Sequence, residues 1–314
     1  MNPPIPFVCA AHYTSGPAWI AALQRAMPDE RIVALDALSD AEKADCTVAI
    51  VANADPAALR QLPHLSWVHS VWAGVERLMA DLRDRPLTIV RLVDPQLADT
   101  MAEAVLAWTL YLHRDMPAYA AQQARGEWMT RDYVGPGQRT VGLLGLGALG
   151  AAAARRLQDA QFNVCGWSRS RKTLPGVACF AGEAELDTML STVDILVCLL
   201  PLTAQTTGLL DANRLGRLPQ HAQLINFGRG PIVCDAGLRE VLDRGWLKHA
   251  VLDVFAVEPL PPQEWPWRHP RVTVLPHCSA PTNQTTASAI VAGNIRTYRA
   301  TGVVPSGVDT VRGY

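Results

Sequence analysis

Three polar stretches of this chain contain the residue types that the reduction of a carbonyl group requires. Each follows an apolar run directly: Asn226-Phe227-Gly228-Arg229-Gly230, residues 253–259, and Pro276-His277-Cys278-Ser279. An imidazolium donates a proton near neutral pH, and a neighbouring carboxylate raises its pKa. A guanidinium holds a carboxylate or polarises a keto oxygen through its planar fork. We therefore predict a catalytic set of Arg229, Glu258 and His277, with His277 protonating the oxygen that hydride arrival leaves charged.

These side chains can converge on the nicotinamide because the apolar runs before them are predicted to be strands, and strand carboxyl ends line the ligand crevice of a doubly wound sheet. Helical segments alternate with the runs, including Ala151–Ala160 and a helix over Asp235–Arg244 with Asp235 as its N-cap, and this alternation predicts an α/β fold. The predicted strands of this second half are Val141–Gly145, Asn163–Trp167, Ile195–Leu199, Gln223–Asn226, Ala250–Val254 and Val272–Leu275.

The first of these strands runs into a glycine-rich turn, Gly145-Leu146-Gly147-Ala148-Leu149-Gly150. In a strand–turn–helix context, the three glycines permit a tight turn, close approach of a pyrophosphate and close helix packing, in that order. The N-terminus of the following helix offers unpaired N–H groups to the same phosphates. We predict a dinucleotide site here; a turn with a purely structural purpose is the alternative.

The nicotinamide cofactor is predicted from the end of the second strand. An NAD site has an acid about 20 residues beyond the glycines, yet no acid occurs between Asp159 and Glu183. Ser168-Arg169-Ser170-Arg171-Lys172 stands there instead, and a 2′-phosphate suits such a cluster. We predict NADP, with NADPH preferred over NADH and Arg169 as the main contact; an ordinary solvated basic loop is the alternative.

The first 95 residues or so predict a second parallel sheet that lacks a glycine-rich turn. Helices over Ala18–Ala26 and Pro56–Gln61 are predicted between its strands. The strands are Phe7–Ala10, Ile32–Leu35, Thr47–Val51, Trp67–Val71 and Thr88–Leu92.

Three further signals suggest where the two sheets join. Thr100 to Glu103 has the pattern of a capping box and predicts the start of a long amphipathic helix, which Pro117 bends or ends. A final helix over Gln284–Ala300 is expected to pack back on the first sheet. The predicted domains are 1–98 plus 284–314 for substrate and 99–283 for the cofactor.

Bulk properties place the chain in the globular class. Of its 314 residues, 49% are hydrophobic, and 28 basic residues nearly balance 29 acidic ones. This balance disfavours nucleic acid or an anionic membrane as the main partner. Seven scattered cysteines without a C-x-x-C pair favour buried thiols, Cys278 among them, in a reducing cytoplasm, and no ligand spacing predicts a metal site.

Taken together, these motifs resemble the D-isomer-specific 2-hydroxyacid dehydrogenases. The resemblance rests on the glycine turn, on Asn226 to Gly230, on Leu252-Asp253-Val254-Phe255 with Glu258-Pro259-Leu260, and on Pro276-His277. Within that family, the reductases of glyoxylate and hydroxypyruvate are the most similar, through Trp167 to Lys172, the Pro261-Pro262 pair and the terminal Arg312-Gly313-Tyr314.

The resemblance implies a flavodoxin-like substrate domain and a Rossmann cofactor domain with a cleft between them, usually in a homodimer. It implies that Asp253 contacts the nicotinamide end, and that the N–H groups of Ala73 and Gly74 bind the substrate carboxylate beside Trp72, Arg229 and His277. Trp72 is expected either to narrow the pocket or to be a packed core residue, and Trp128 to reach a partner's cleft. The remaining expected cofactor contacts are Ala148, Leu149, Leu200, Pro201, Phe227, Gly228 and Ser279.

The function predicted from these features is an NADPH-dependent reduction of glyoxylate to glycolate and of hydroxypyruvate to D-glycerate. Two alternatives remain open at this point. The same chemistry could serve a longer 2-keto acid or phosphoglycerate, or the fold could serve a dinucleotide-sensing regulator without turnover. The presence of Arg229, Glu258 and His277 together favours an enzyme.

Overall fold

The computed structural model describes residues 2–10, 13–52, 54–82 and 84–309. The chain divides into two compact units: unit 1 comprises Met1–Gln96 with Thr282–Tyr314, and unit 2 comprises Leu97–Pro281. Each unit is built on one parallel β-sheet, so the predicted class of two α/β domains is confirmed.

Unit 1 has five parallel strands in the order β2-β1-β3-β4-β5, which is the flavodoxin-like order. The strands are β1 Ile5–Cys9, β2 Ile32–Ala34, β3 Val48–Ala52, β4 Trp67–Ser70 and β5 Thr88–Val90. The helices are α1 Gly16–Ala26, α2 Asp40–Asp45, α3 Pro56–Leu59, α4 Glu76–Asp81 and, from the second chain segment, α11 Gln284–Thr301.

The central strand of this sheet, β3, is buried at all five residues, as expected for a parallel strand covered on both faces. Its alternate side chains enter two separate hydrophobic clusters, Val48 and Ile50 into one and Ala49 and Val51 into the other. Helix α11 buries Val291 and its neighbours in the first of these clusters. The prediction that the last helix packs on the first sheet is therefore confirmed.

Unit 2 has seven parallel strands in the order β12-β11-β10-β9-β6-β7-β8, an extended Rossmann order. The strands are β6 Thr140–Leu144, β7 Asn163–Ser168, β8 Ala178–Ala181, β9 Ile195–Cys198, β10 Gln223–Asn226, β11 His249–Leu252 and β12 Val272–Val274. The helices are α5 Pro95–His113, whose first two residues belong to unit 1, α6 Met116–Arg125, α7 Ala148–Asp159, α8 Gly182–Leu190, α9 Ala212–Leu215 and α10 Asp235–Asp243.

The predicted capping box at Thr100 is wrong, because α5 begins five residues earlier and Thr100 lies inside it. Asp94 provides the capping contact instead, since its Oδ1 accepts the N–H of Gln96 at 2.9 Å. Pro95 is the first helical residue, where its fixed φ and missing N–H are tolerated. The predicted interruption near Pro117 is confirmed, with α5 ending at His113 and Pro117 in the first turn of α6.

Two further local predictions differ from the structure. Asp235 is the first residue of α10 rather than its N-cap, which is Cys234, and the Asp235 carboxylate accepts the indole N–H of Trp265 at 2.9 Å. Strand β8 is not among the predicted strands, because Ala178–Ala181 is short and only partly buried. It pairs with β7 at the edge of the sheet.

Candidate active site

The glycine turn lies between the central strand β6 and helix α7. Gly145 has a φ of +107°, a conformation that residues with a Cβ rarely adopt. A Cβ on Gly150 would stand 1.9 Å from the carbonyl oxygen of Gly145, so only glycine lets the helix approach the turn this closely. A Cβ on Gly147 would meet nothing within 4 Å. The turn is therefore tightly packed at its first and third glycines and open at the second, which fits a bound pyrophosphate.

The basic loop follows β7 at the neighbouring strand end. Ser168 Oγ donates to the carbonyl of Ser170 at 2.8 Å and closes the loop on itself. Arg171 donates to the carbonyl of Cys179 on β8 at 2.9 Å and forms an ion pair with Glu185 of α8. Arg169, Ser170 and Lys172 are exposed. The sequence pattern alone did not reveal that Arg171 is held by an acid 14 residues along the chain.

Arg229 lies in a turn that follows β10 and is held by the side chain of Asn226. Asn226 Oδ1 accepts the N–H of Gly228 at 3.2 Å, and its Nδ2 donates to the carbonyl of Arg229 at 3.2 Å. A Cβ on Gly230 would stand 2.2 Å from the carbonyl carbon of Phe255, so the turn lies against the next strand end. No role is predicted for Asn226 from the sequence alone. Its position as a polar residue at the end of an apolar run was the signal for one, and the structure shows that it is buried.

Four of the predicted cofactor contacts follow the ends of β9 and β10, namely Leu200, Pro201, Phe227 and Gly228. The N–H of Phe227 donates to the carbonyl of Cys198 at 3.0 Å, which joins the end of β10 to the end of β9. A Cβ on Gly228 would stand 2.7 Å from the carbonyl oxygen of Leu200. A glycine at position 228 therefore keeps the two loops in contact.

His277 and Glu258 form a hydrogen-bonded ion pair. His277 Nδ1 lies 2.7 Å from Glu258 Oε2, while Glu258 Oε1 accepts the N–H of Phe255 at 2.8 Å. The hydrogen bond to Glu258 raises the pKa of His277 above its ordinary value, although burial and the positive charge of nearby Arg229 oppose the shift. Burial alone would raise the pKa of Glu258, but the hydrogen bonds from His277 and Phe255 outweigh it and lower that pKa.

The loop that carries His277 is anchored on Asp253, which is 2% exposed. The carbonyl of Asp253 accepts the N–H of His277 at 3.0 Å. Its two carboxylate oxygens accept the N–H groups of Cys278 at 2.8 Å and Ser279 at 3.0 Å. The prediction that Cys278 is buried is wrong, because its side chain lies exposed on this loop, and Ser279 is buried instead.

The predicted substrate loop follows β4 in unit 1. The N–H of Trp72 donates to Ser70 Oγ at 3.0 Å, and its ring packs edge-on against Tyr13 with centroids 5.6 Å apart. Within the part of the chain that the structure describes, the N–H groups of Ala73 and Gly74 donate to no acceptor. Two adjacent free amides can bind a carboxylate.

Unit 2 therefore places the three predicted catalytic residues after the carboxyl ends of three neighbouring strands. Arg229 follows β10, Glu258 follows β11 and His277 follows β12, and these strands are neighbours. A carboxylate-bound imidazolium beside a guanidinium can protonate an oxygen while a second anionic group is held. Among the described residues, no three potential metal ligands cluster, and no helix has the length and apolar character to cross a membrane.

Comparison with known proteins identifies the family of the chain. The profile of the NAD-binding domain of D-isomer-specific 2-hydroxyacid dehydrogenases matches residues 106–279. A D-isomer-specific 2-hydroxyacid dehydrogenase from Xanthobacter autotrophicus Py2, solved with NADPH and MES, is 37% identical over 99% of this chain and 100% of its own, with a TM-score of 0.91. The chain thus belongs to the D-isomer-specific 2-hydroxyacid dehydrogenase family, a class of NAD(P)-dependent enzymes.

Two further solved structures narrow the comparison. The NADPH-dependent glyoxylate/hydroxypyruvate reductase of Sinorhizobium meliloti, in complex with NADP and sulfate, is 33% identical over 99% of this chain and 100% of its own, with a TM-score of 0.90. A probable 2-hydroxyacid dehydrogenase from Rhizobium etli, with NADP, HEPES and L(+)-tartaric acid, is 31% identical over 100% of both chains, with a TM-score of 0.88.

Proposed function

We propose that this enzyme reduces small 2-keto acids, glyoxylate and hydroxypyruvate first among them, with NADPH as the reductant. The observation that carries the proposal is the 2.7 Å contact between His277 Nδ1 and Glu258 Oε2. This contact favours the protonated form of the His277 imidazole, which lies at the carboxyl ends of the strands, as Arg229 does. The likeness to a reductase from Sinorhizobium meliloti that acts on glyoxylate and hydroxypyruvate supports the choice of substrate.

The reaction divides between cofactor and protein. When bound, the reduced nicotinamide supplies a hydride to the carbonyl carbon of the keto acid, which opens the C=O π bond. His277 gives its Nε2 proton to the resulting alkoxide, so the products are a 2-hydroxy acid and the oxidised cofactor. Glu258 stabilises the imidazolium before transfer, and Arg229 holds the substrate carboxylate or the keto oxygen.

Each unit has a separate part in this proposal. Unit 2 holds the dinucleotide on the glycine turn and the basic loop, with Asp253 at the nicotinamide end. In unit 1, the free N–H groups of Ala73 and Gly74 bind the substrate carboxylate, and Trp72 limits the length of the acid. Ser70 holds the backbone of Trp72 and Tyr13 contacts its ring, while the same side chain packs against the first hydrophobic cluster of unit 1.

The preference for NADPH rests on Arg169 within the exposed loop after β7. Arg169→Asp places a negative charge where the 2′-phosphate is expected, so we predict a rise in KM for NADPH of about tenfold or more and a much smaller change for NADH. Initial rates with both cofactors measure the effect, and Arg155→Asp on the exposed face of α7 is the matched control. Equal losses with the two cofactors would contradict the assignment.

The function itself is tested by following the loss of NADPH absorbance at 340 nm with a panel of 2-keto acids. We expect the highest kcat/KM for glyoxylate or hydroxypyruvate and lower values as the chain of the acid lengthens. A maximum of kcat/KM at a longer 2-keto acid would contradict the proposed substrates while leaving the reaction type unchanged. Tight NADPH binding without turnover of any 2-keto acid would favour a dinucleotide-sensing regulator and refute the proposal.

A further inference from the structure

A positively charged cavity lies in unit 2, away from the catalytic set. It is a cavity of about 640 Å³, a volume typical of small-molecule sites. Four basic side chains contribute to its lining, and the lining includes no acid. These cations are Arg131, Arg139, Lys248 and Arg271.

The cavity lies at the amino ends of the strands. Arg139, Lys248 and Arg271 each stand immediately before a strand: β6, β11 and β12, respectively. The catalytic side chains follow the carboxyl ends of β10, β11 and β12, so the length of a strand separates the two sites. At about 3.3 Å per residue, that separation is on the order of 10 Å or more. A ligand in the cavity is therefore distinct from the substrate and from the predicted cofactor.

The cations of this cavity are only partly neutralised. Asp115 pairs with both Lys248 and Arg131, and its contact with Arg131 is 2.8 Å. Asp194 pairs with Arg139 at 3.2 Å. Arg271 has no carboxylate partner in the described part of the chain, where its guanidinium donates only a 3.4 Å bond to the carbonyl of Leu242. Two acids thus balance four cations, and a net positive charge of two remains before His221 is counted.

We propose that this cavity binds a small anion that carries two or more phosphate groups. A guanidinium fork recognises a phosphate through two hydrogen bonds, and a lysine ammonium acts as a point charge on a second one. Asp115 contacts both Lys248 and Arg131, so these two cations lie close enough together for one phosphate group to interact with both. The cavity has room for an organic diphosphate rather than a single inorganic ion, and the inference does not depend on the proposed reductase activity.

Isothermal titration of the full chain with pyrophosphate, in the presence of a saturating excess of NADPH to fill the cofactor site, tests the proposal. We expect one pyrophosphate per chain and an affinity that falls as the salt concentration rises. Parallel titrations with ADP and citrate identify the source of the anion. Tighter binding of ADP than of pyrophosphate assigns the site to an organic diphosphate, whereas binding of citrate alone overturns the phosphate assignment.

Two variants change the charge of the cavity in opposite directions. Arg271→Gln removes the cation without a carboxylate partner and should weaken pyrophosphate binding about tenfold or more. Asp115→Asn releases Lys248 and Arg131 and should tighten it; Asp115 has a φ of 56°, a conformation that asparagine tolerates. Arg77→Gln, an exposed arginine of unit 1, is the charge-matched control. No binding by the unmodified chain, or equal binding by the Arg271 and Asp115 variants, would overturn the proposal.

Discussion

The backbone of His277 is as unusual as its side chain. Its φ of +52° lies in the left-handed region, which histidine and asparagine enter more readily than most residues. Asp253 holds that conformation through the N–H of His277 at 3.0 Å, and Glu258 holds the ring through Nδ1 at 2.7 Å. With Nδ1–H directed to the carboxylate, Nε2 is the nitrogen left to carry the transferred proton.

Removing the imidazole should therefore remove the proton transfer and leave the cofactor site intact. We expect His277→Gln to lower kcat for 2-keto acid reduction by about 10²- to 10⁴-fold, the usual contribution of a general acid. NADPH binding, measured by fluorescence titration, should change little. His277→Asn keeps a residue that tolerates the left-handed backbone and serves as the second variant. Full turnover in both variants would rule out His277 as the proton donor.

The carboxylate of Glu258 should set the pH range of the reaction. The pKa of His277 is raised by Glu258, so the protonated imidazole persists above pH 6.5 and reduction slows as pH rises through that raised pKa. Glu258→Gln keeps the shape of the side chain but removes its charge, and we expect this descending limb to move to lower pH, with a lower kcat. A pH–rate profile measures the shift; an unmoved limb would contradict the pairing.

At the scale of single residues, the sequence predicts which side chains could perform the reaction but not the contacts that hold those side chains in place. Arg229, Glu258 and His277 stand out because each charged or ionisable residue follows an apolar run. The position of Asn226 at the end of an apolar run marked it as unusual, but its contacts were not predictable, since they depend on a turn folding back on its side chain. The exposure of Cys278 depends on the path of the loop after β12, which local composition does not determine.

Two buried histidines lie on strands, one in each unit. His69 of β4 lies between the carbonyl of Ser70 at 2.9 Å and the amide of Asn294 at 2.8 Å, so its ring is held in one neutral form. His249 of β11 lies 2.9 Å from Thr273 Oγ1. Burial lowers the pKa of each to about 4.

These two buried histidines should lower the free energy of unfolding in mild acid. Because the folded-state pKa values lie below the ordinary value of 6.5, the unfolded chain binds more protons between about pH 6.5 and 4, and stability falls as pH falls through that window. Each histidine is expected to cost about 1.4 kcal/mol per pH unit there. Urea midpoints measured from pH 6.5 to 5 should show the decline.

Substitution of one histidine separates this effect from the titration of acids. His249→Gln retains a side-chain partner for Thr273 and should make the decline in midpoint with falling pH shallower. His64→Gln, at an exposed position, is the control and should leave the slope unchanged. An unchanged slope in the His249 variant would show that this histidine is not buried in its neutral form.

Strand positions followed from continuous apolar runs wherever the burial was complete. β3 and β9, which are buried throughout, were predicted to within one or two residues at each end. β8 was missed because an edge strand only partly buried has a weak pattern. The start of α5 was misplaced because the proline at position 95 and Asp94 together cap the helix more effectively than the Thr100 pattern suggested.

Exposed apolar side chains concentrate in residues 110–133 of the whole molecule. Among the described residues, those on this segment are Leu110, Met116, Tyr119, Trp128, Met129 and Tyr133. An exposed apolar patch of this kind is typical of a protein–protein interface. We propose that these apolar side chains, rather than Asp115 and Arg131 of the same segment, support the homodimer expected from the family resemblance, with Trp128 reaching the partner's substrate site.

Trp128 provides the test at this scale, since its side chain is fully exposed in the single chain. We expect the unmodified protein to have the mass of a dimer in light scattering, and Trp128→Ala to raise the KM for the keto acid several-fold while NADPH binding is unaffected. Trp267→Ala, at another exposed tryptophan, is the matched control. A monomeric protein, or an unchanged KM, would contradict the proposal.

The discontinuity of unit 1 has a consequence for how the chain is made. Its first cluster is completed by Ala287, Val291 and Ile295 of α11, which a ribosome adds only after all of unit 2 has been synthesised. During translation, the five strands of unit 1 therefore keep part of their apolar surface exposed until α11 is made, whereas all strands of unit 2 have been synthesised by then. The order of synthesis and the order of folding are thus expected to be reversed, and the nascent amino-terminal half is the part for which a chaperone would matter most.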